Sequence, residues 1–372
     1  MPSPPGRVLI AAGEPSGDAH GAAVVRELRR IRQDVEIEAF GGPALAAAGA
    51  RIRFPMERYT VLGFGEALGK IPAHLALLHT LGRDLRHGRY DLVILVDYPG
   101  FNLRLAALAK RAGVRTLYYI APQLWAWRAG RAKTLRTAVD RLAVILPFEE
   151  AFFKGLDVPA EFVGHPLLDG QLPSREVARA RLGVGDNERV LTLFPGSRAQ
   201  EVHRIWPVFR DAARLLLADG LCDRVLVARL PGFEYGDPGP IELREGDREI
   251  LLAAADAGLL KSGTTTLQGA CVGLPMIVGY RVHPLTAAIA RRVKTIPWIS
   301  LVNIVANREV VPELTQDEAH PGALADRLRP LLVPGGPEAA TQRAALAEVR
   351  QALGSPGAAA RVARMANELL AA

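Results

Sequence analysis

Short apolar runs alternate with longer segments of helical periodicity along the chain, a pattern typical of a parallel sheet covered by helices. In the N-terminal half, the predicted strands are 7–12, 35–40 and 90–96, and the predicted helices are 19–30 and 101–112. After Pro166 the predicted strands are 189–194, 224–228, 257–261 and 276–278, with helices from about residues 200 and 265. In the helix after Gln200, apolar residues recur every three or four positions, which marks one buried face. The pattern therefore predicts two doubly wound α/β halves.

A Gly-His-Pro turn at 164–166 separates the two series, and a Gly/Pro-rich breaker follows at 334–337. These breaks predict an N-terminal domain at 1–168, a C-terminal domain at 169–337 and an Ala-rich helical tail at 338–372. We expect the tail to pack back on the N-terminal domain, either its own or that of a partner chain.

Composition narrows the class of protein. The 372 residues include 46 Lys and Arg against 39 Asp and Glu, a net charge of +7, which favours anionic partners such as phosphates or an acidic lipid surface. Two cysteines exclude a disulfide framework and a multi-cysteine zinc site. Scattered basic residues and only 6% aromatics disfavour nucleic acid. No apolar run reaches the length of a membrane span or a signal-peptide core, so we expect a cytoplasmic protein.

Two carboxylates follow strands of the first half. Residues 13–18, Gly-Glu-Pro-Ser-Gly-Asp, come directly after the first strand. Asp97 comes directly after the buried strand that ends at Val96. Parallel strands end at one edge, so Glu14 and Asp97 are expected there together, where partial desolvation raises the pKa of Asp97 and makes it a usable base. The two carboxylates of the 13–18 turn, Glu14 and Asp18, would repel a pyrophosphate but suit sugar hydroxyls. The alternative is that these side chains only cap helices and turns.

The second half carries two phosphate-binding patterns. Residues 195–198, Pro-Gly-Ser-Arg, and 262–266, Ser-Gly-Thr-Thr-Thr, each follow a strand and open a helix. Glycine permits close backbone approach, hydroxyls and helix N–H groups bind phosphate oxygens, and Arg198 adds a bidentate charge. Gln268, one turn into its helix, is placed to reach a ribose hydroxyl. Each pattern alone is compatible with an ordinary turn or cap, but the pair predicts a nucleotide site.

Two further segments have open interpretations. Residues 119–128 contain two of the four tryptophans, which line sugar and acyl sites but are also common core residues. Residues 59–81 mix apolar positions with nearby Lys70, Arg83 and Arg86, which suits docking on an anionic bilayer or, equally, a buried helix pair.

Ten motifs in chain order resemble those of the lipid-A-disaccharide synthases, bacterial inverting glycosyltransferases with the GT-B architecture of two Rossmann-like domains facing a central cleft. They are 13–18 (Gly-Glu-Pro-Ser-Gly-Asp), Asp97 with 101–103 (Phe-Asn-Leu), 122–128 (Pro-Gln-Leu-Trp-Ala-Trp-Arg), 146–149 (Leu-Pro-Phe-Glu), 162–166 (Phe-Val-Gly-His-Pro), 195–198 (Pro-Gly-Ser-Arg) with Glu201, 262–264 (Ser-Gly-Thr), 279–281 (Gly-Tyr-Arg), 300–303 (Ser-Leu-Val-Asn) and 311–314 (Val-Pro-Glu-Leu). One position departs from the family: Gln268 stands where Glu is usual, and its amide changes the pattern of hydrogen bonds available to a ribose.

The resemblance implies transfer of 2,3-diacylglucosamine from UDP to the 6-hydroxyl of 2,3-diacylglucosamine 1-phosphate, giving a β-1,6-linked disaccharide and UDP without a metal or other cofactor. It also implies peripheral association with the inner membrane, and an oligomer is possible. The expected catalytic residues are Asp97, as the base, and Glu14, as runner-up base or sugar clamp. The expected nucleotide-binding residues are Ser197, Arg198, Ser262, Gly263, Thr264, Thr265, Gln268, Tyr280, Arg281 and Asn303. The expected acceptor-binding residues are Ser16, Asp18, Asn102, Trp127 and Arg128.

Two other functions compete with this interpretation. A UDP-N-acetylglucosamine 2-epimerase shares the architecture and the nucleotide half, but a soluble substrate would leave the apolar face of 59–81 unexplained. A non-catalytic lipid-binding or nucleotide-binding protein would not need both carboxylates.

Overall fold

The computed structural model describes residues 6–59, 69–125, 132–283 and 296–371. The chain forms two compact units: unit 1 comprises Met1–Asp169 with Leu353–Ala372, and unit 2 comprises Gly170–Ala352. Each unit contains one parallel sheet with helices, as the alternating pattern predicted.

Unit 1 contains a seven-stranded sheet in the order β3-β2-β1-β4-β5-β6-β7, and every neighbouring pair is parallel. Its strands are β1 (Arg7–Ala12), β2 (Glu36–Gly41), β3 (Arg51–Pro55), β4 (Leu92–Val96), β5 (Arg115–Tyr119), β6 (Arg141–Val144) and β7 (Ala160–Phe162). Its first helices are α1 (Pro15–Ile31), α2 (Pro43–Ala47), α3 (Ile71–Arg86), α4 (Pro99–Arg111), α5 (Ala132–Ala138) and α6 (Glu149–Lys154).

Strand β1 shows why the central strands are continuous apolar runs. Leu9 and Ala11 pack into the core on one face of the sheet, whereas Val8, Ile10 and Ala12 pack into the core on the other. Side chains of a strand alternate between the two faces, so a strand covered by helices on both sides has no polar face.

Unit 2 contains a six-stranded parallel sheet in the order β10-β9-β8-β11-β12-β13. Its strands are β8 (Val190–Phe194), β9 (Arg224–Ala228), β10 (Glu242–Arg244), β11 (Ala257–Leu260), β12 (Met276–Tyr280) and β13 (Glu313–Thr315). Its helices in the described residues are α7 (Arg175–Leu182), α8 (Ala199–Ala218), α9 (Arg248–Ala254), α10 (Thr264–Cys271), α11 (Leu301–Ala306), α12 (Pro321–Leu328) and α13 (Pro337–Ala352). The predicted buried face of α8 is observed, with Val202, Ile205, Trp206 and Phe209 in the core.

The C-terminal tail differs from the single segment that the sequence predicted. Its first helix, α13, belongs to unit 2, and only the second, α14 (Ala358–Ala371), packs on unit 1, mainly against α1. The division falls at a break in the helical pattern at 353–357, which contains Gly354, Pro356 and Gly357. Because glycine and proline end helices, the tail forms two separate helices, and each packs on a different unit.

Both sheets reverse their strand order at an interior position. The chain builds outward from β1 through β2 to β3 and then resumes on the other side of β1 with β4; in unit 2 the same reversal lies between β8 and β11. Ligands of doubly wound sheets bind beyond the carboxyl ends of the strands at this reversal. The predicted motifs follow β1, β4, β8 and β11, so each unit carries its candidate residues at that place.

Candidate active site

In unit 1, Asp97 follows β4 in a backbone conformation that non-glycine residues seldom adopt. Asp97 and Tyr98 have φ angles of 46° and 50°. Such residues cost free energy and persist where surrounding contacts impose them. Here the Asp97 N–H donates to the carbonyl of Tyr119 at 2.9 Å. The Asp97 carbonyl accepts from Asn102 Nδ2 and from Tyr118 Oη, both at 2.7 Å.

The Asp97 carboxyl is a group suited to proton transfer. Burial raises its pKa to about 6, the negative charge of Glu14 adds to this, and a hydrogen bond from the Tyr98 N–H opposes it. Glu14 itself is exposed at the start of α1 and caps no N–H group with its side chain. The structure thus brings together the two predicted catalytic carboxylates, one half-buried and one exposed.

Gly13 is required by close packing at this site. A Cβ atom on Gly13 would lie 2.3 Å from a ring carbon of Tyr98, so no larger residue fits. The Tyr98 hydroxyl lies 2.8 Å from His74 Nε2 on α3. Sequence analysis singled out neither Tyr98 nor His74, because their contact joins segments 24 residues apart.

Two of the predicted acceptor-binding residues have structural roles instead. Asp18 is 2% exposed, and its carboxylate accepts hydrogen bonds from the N–H groups of Gly42 (2.7 Å) and Ala44 (2.8 Å), which fixes the start of α2. Asn102 is fully buried, and its amide holds the carbonyls of Val96 and Asp97. Asp18 and Asn102 were predicted to contact the acceptor directly. In the structure they instead hold the backbone that follows β2 and β4.

The remaining predicted acceptor-binding residues differ in what the structure describes. Ser16 is exposed in the first turn of α1, beside Glu14. Trp127 and Arg128 lie outside the described residues. Just before them, Trp125 is buried rather than open to a ligand, and its Nε1 donates to the Glu149 carboxylate at 2.9 Å. Burial raises the pKa of Glu149 to about 7, although three N–H donors oppose the shift.

In unit 2, the two predicted phosphate-binding turns both use glycine conformations. Gly196 has a φ of 151° and Gly263 one of 147°. A Cβ on Gly196 would lie 2.7 Å from the Cβ of Glu201. The turns after β8 and β11 therefore depend on glycine, and β8 and β11 are neighbours in the sheet.

An ion pair underlies these turns. Glu201 accepts from the Ser197 N–H at 3.1 Å and pairs with Lys261 Nζ at 3.0 Å. Burial acts to raise the pKa of Glu201, but Lys261, the Ser197 N–H and Arg198 together hold that pKa below its ordinary value. Sequence analysis gave Lys261 no role, although its position directly before Ser262 is a usable signal. Arg198 is exposed at the start of α8.

The start of α10 offers free groups beside groups that the fold already uses. Ser262 Oγ donates to the carbonyl of Ile299 at 2.6 Å, and Thr265 Oγ1 accepts from Arg248 at 3.0 Å. Thr264 is exposed in the first turn, and Gln268 is half-buried one turn further on. The helix N-terminus thus presents N–H donors beside Arg198 on the adjacent strand end.

Asn303 was predicted to bind the nucleotide, but its side chain forms hydrogen bonds with neighbouring protein groups. It is fully buried, its Nδ2 donates to Val311 O and to Glu313 Oε1, and its Oδ1 accepts from the N–H groups of Val310 and Val311. All its hydrogen-bonding capacity is therefore spent on shaping the segment before β13. We revise its role from ligand contact to loop support.

The last two predicted nucleotide-binding residues lie at the end of β12, where Tyr280 is its last residue and Arg281 follows it. Tyr280 is partly buried, with Lys261 Nζ 5.8 Å from its ring centroid. Arg281 Nε donates to the carbonyl of Gln316 at 3.1 Å. Their positions extend the candidate site to a third adjacent strand end.

Among the described residues, no group of three or more His, Cys, Asp or Glu side chains is placed to hold a metal ion. In the same part of the chain, no helix is long and apolar enough to cross a membrane.

Comparisons with known proteins agree with the motifs. The family model described as lipid-A-disaccharide synthetase matches residues 8–361. The lipid-A-disaccharide synthase of Azotobacter vinelandii is 42% identical over 344 residues, covering 89% of this chain and 90% of the relative. That of Myxococcus xanthus is 40% identical over 382 residues, covering 100% and 99%.

Solved structures show the fold alone. The calicheamicin glycosyltransferase CalG4 is 18% identical with a TM-score of 0.61, covering 99% of both chains. UDP-GlcNAc 2-epimerase from Neisseria meningitidis, bound to UDP-GlcNAc, is 10% identical with a TM-score of 0.62, covering 98% of this chain and 99% of that one. The fold is GT-B, and by its near full-length sequence match the chain belongs to the lipid-A-disaccharide synthase family.

Proposed function

We propose that this glycosyltransferase of lipid A biosynthesis moves a 2,3-diacylglucosamine unit from UDP to the 6-hydroxyl of 2,3-diacylglucosamine 1-phosphate, with inversion at the anomeric carbon. The observation that carries the mechanism is Asp97, a carboxyl of pKa about 6 at the reversal point of the unit 1 sheet. A general base works best when its pKa lies near the working pH.

In the proposed step, the acceptor oxygen attacks the anomeric carbon while Asp97 takes the hydroxyl proton. The new bond joins O6 of the acceptor to C1 of the donor, and the bond between C1 and the diphosphate oxygen breaks with its electron pair leaving on UDP. Attack from the face opposite UDP inverts the configuration. Glu14 binds sugar hydroxyls and raises the pKa of the base.

Unit 2 is proposed to bind the UDP moiety. Arg198 and the N-terminus of α10 offer a positive charge and oriented N–H donors to the diphosphate, which gains charge as the bond to C1 breaks. We expect the half-buried Gln268, one turn into α10, to bind the ribose. These groups stabilise the leaving diphosphate, and we propose that no metal ion is needed.

Membrane association is a separate part of the proposal. On α3, Ile71 and Leu75 are 46% and 53% exposed, one helical turn apart, and Lys70 precedes them. Exposed apolar side chains beside a basic residue suit an anionic lipid surface. We propose peripheral binding at the cytoplasmic face of the inner membrane. Ile71→Ser with Leu75→Ser should reduce co-sedimentation with anionic vesicles, and unchanged co-sedimentation would contradict the assignment of this face.

The test of the function is disaccharide formation from the UDP-linked and 1-phosphate diacylglucosamines in detergent with EDTA, followed by mass spectrometry. We expect one product, the β-1,6-linked disaccharide 1-phosphate, with release of UDP. Product that requires added metal would contradict the metal-free step. Conversion of UDP-N-acetylglucosamine to its 2-epimer, without disaccharide, would favour the epimerase instead.

A further inference from the structure

Arg248 lies between the two phosphate-binding turns of unit 2. It is the first residue of α9, and its Nη2 donates to Thr265 Oγ1 at 3.0 Å. Its Cζ lies 5.2 Å from the centroid of the Phe194 ring. Phe194 ends β8 two residues before Gly196, and Thr265 is the second residue of α10. One guanidinium therefore contacts the end of β8 and the first turn of α10, which carry the candidate nucleotide site.

The charge of Arg248 has no carboxylate partner among the described residues, in contrast to its neighbours. Arg244 pairs with Glu242 at 2.6 Å, and Lys261 pairs with Glu201 at 3.0 Å. Burial lowers the pKa of the Arg248 guanidinium from its ordinary value, with Tyr235 opposing the shift. A partly buried cation without a counter-charge costs free energy, which an anionic ligand would recover.

The shape of the side chain also leaves donors unused. A guanidinium has five N–H groups in a planar fork, of which the structure assigns one to Thr265. The cation–π contact with Phe194 and the hydrogen bond to Thr265 restrain the guanidinium, and among the described residues no hydrogen bond engages its other N–H groups. This arrangement matches the planar, paired recognition for which arginine is suited at phosphates.

We propose that Arg248 is a further ligand of the donor diphosphate, beside Arg198 and the N-terminus of α10. The inference rests on the proposed UDP-sugar site in unit 2 and adds a residue to it. It also gives the Thr265 hydroxyl a function, which is to hold the guanidinium in place rather than to contact phosphate.

The test is calorimetric titration of the full-length chain with UDP, UMP and uridine. Arg248→Gln should weaken UDP and UMP binding about 10- to 100-fold, the effect expected from losing a hydrogen bond to a charged group, while uridine binding stays unchanged. Arg248→Lys keeps the charge but not the fork, so its loss should be smaller and confined to UDP and UMP. Arg244→Gln is the matched control, because Arg244 lies four residues earlier and already pairs with Glu242. It should leave the affinities for UDP, UMP and uridine unchanged.

Three outcomes would overturn the inference, and they are distinguishable. If Arg248→Gln weakens uridine as much as UDP, the side chain supports the base pocket or the fold. If the wild-type chain binds UDP and Arg248→Gln binds it equally well, only the role of Arg248 is wrong. If the wild-type chain does not bind UDP, the proposed function fails and this inference fails with it. If Arg248→Gln does not fold, UDP and uridine are titrated into Arg248→Lys instead, and a loss confined to UDP supports the inference.

Discussion

The strand ends at the two reversal points carry opposite charge on the same framework. In unit 1 they bear the carboxylates of Glu14 and Asp97, and the turn after β4 places two non-glycine residues at positive φ. In unit 2 the turns after the strands bear Arg198 and the ion-paired Lys261, Arg248 contacts this region from the start of α9, and both turns depend on glycine.

This difference separates the two tasks of glycosyl transfer. A base is made by desolvating a carboxyl, which requires a fixed side chain beside a like charge. A diphosphate site is made by oriented N–H groups and cations, which requires backbone that a ligand can approach. Changes in one unit should therefore leave the other task intact, and the following predictions test that separation.

The largest effect is expected from Asp97→Asn. Loss of a general base should lower kcat about 10²- to 10⁴-fold, while UDP affinity in unit 2 stays the same. Disaccharide formation and UDP titration measure the two quantities. The matched control is Asp91→Asn, which removes a carboxylate just before the opposite end of β4, where it pairs with the exposed Arg7. Equal losses of turnover and UDP affinity would contradict the separation of tasks.

Asp97→Asn should also stabilise the folded chain above pH 6. Because burial holds the pKa of Asp97 near 6 against an ordinary 3.8, folding binds a proton and stability falls as pH rises between these values. The penalty above pH 6 is on the order of 2–3 kcal/mol, at 1.36 kcal/mol for each pKa unit. Urea unfolding at pH 8 should show a gain in the variant that is absent at pH 3.5. A gain of equal size at both values would mean that the carboxyl is not the cause.

Arg198→Gln should weaken UDP binding, which Asp97→Asn leaves unchanged. We expect UDP affinity to fall about 10- to 100-fold, because an ionic hydrogen bond is lost. We expect kcat/KM to fall at low pH as Asp97 becomes protonated. The apparent pKa of this acid limb should not move in Arg198→Gln, because Asp97 lies in unit 1. Titration with UDP and a pH series of initial rates measure both. A shifted acid limb would show that the two sites are electrostatically coupled.

The sequence predicted seven of the thirteen strands in the described residues, all of them interior strands, and missed the four edge strands together with β5 and β6. Residues 7–12 and 224–228 have the observed bounds of β1 and β9, since each is an arginine followed by an uninterrupted apolar run. Strand β3 was missed because Arg51 and Arg53 interrupt its apolar pattern, and both pair with Glu38 on β2. Such pairing between distant segments leaves no local signal.

The site followed the same rule. Motif residues that act through their own turn, such as Gly196 and Gly263, were found from local sequence. Asp18 and Asn303 were assigned to ligands because the N–H groups they bind are supplied by residues 42–44 and 310–311. Arg248 gave no motif, because its significance depends on Phe194 and Thr265 meeting it in the fold.

The most direct test of the account is the pH dependence of kcat/KM for the wild-type chain and for Glu14→Gln. The wild-type value should rise with unit slope below an apparent pKa of about 6 and then level off. The acceptor phosphate also titrates at about pH 6. The Glu14→Gln variant therefore shows whether Asp97 or the phosphate produces the loss of activity at low pH. Removing the charge of Glu14 should move the limb to lower pH if it belongs to Asp97, while a limb that stays in place would assign it to the substrate and contradict Asp97 as the base.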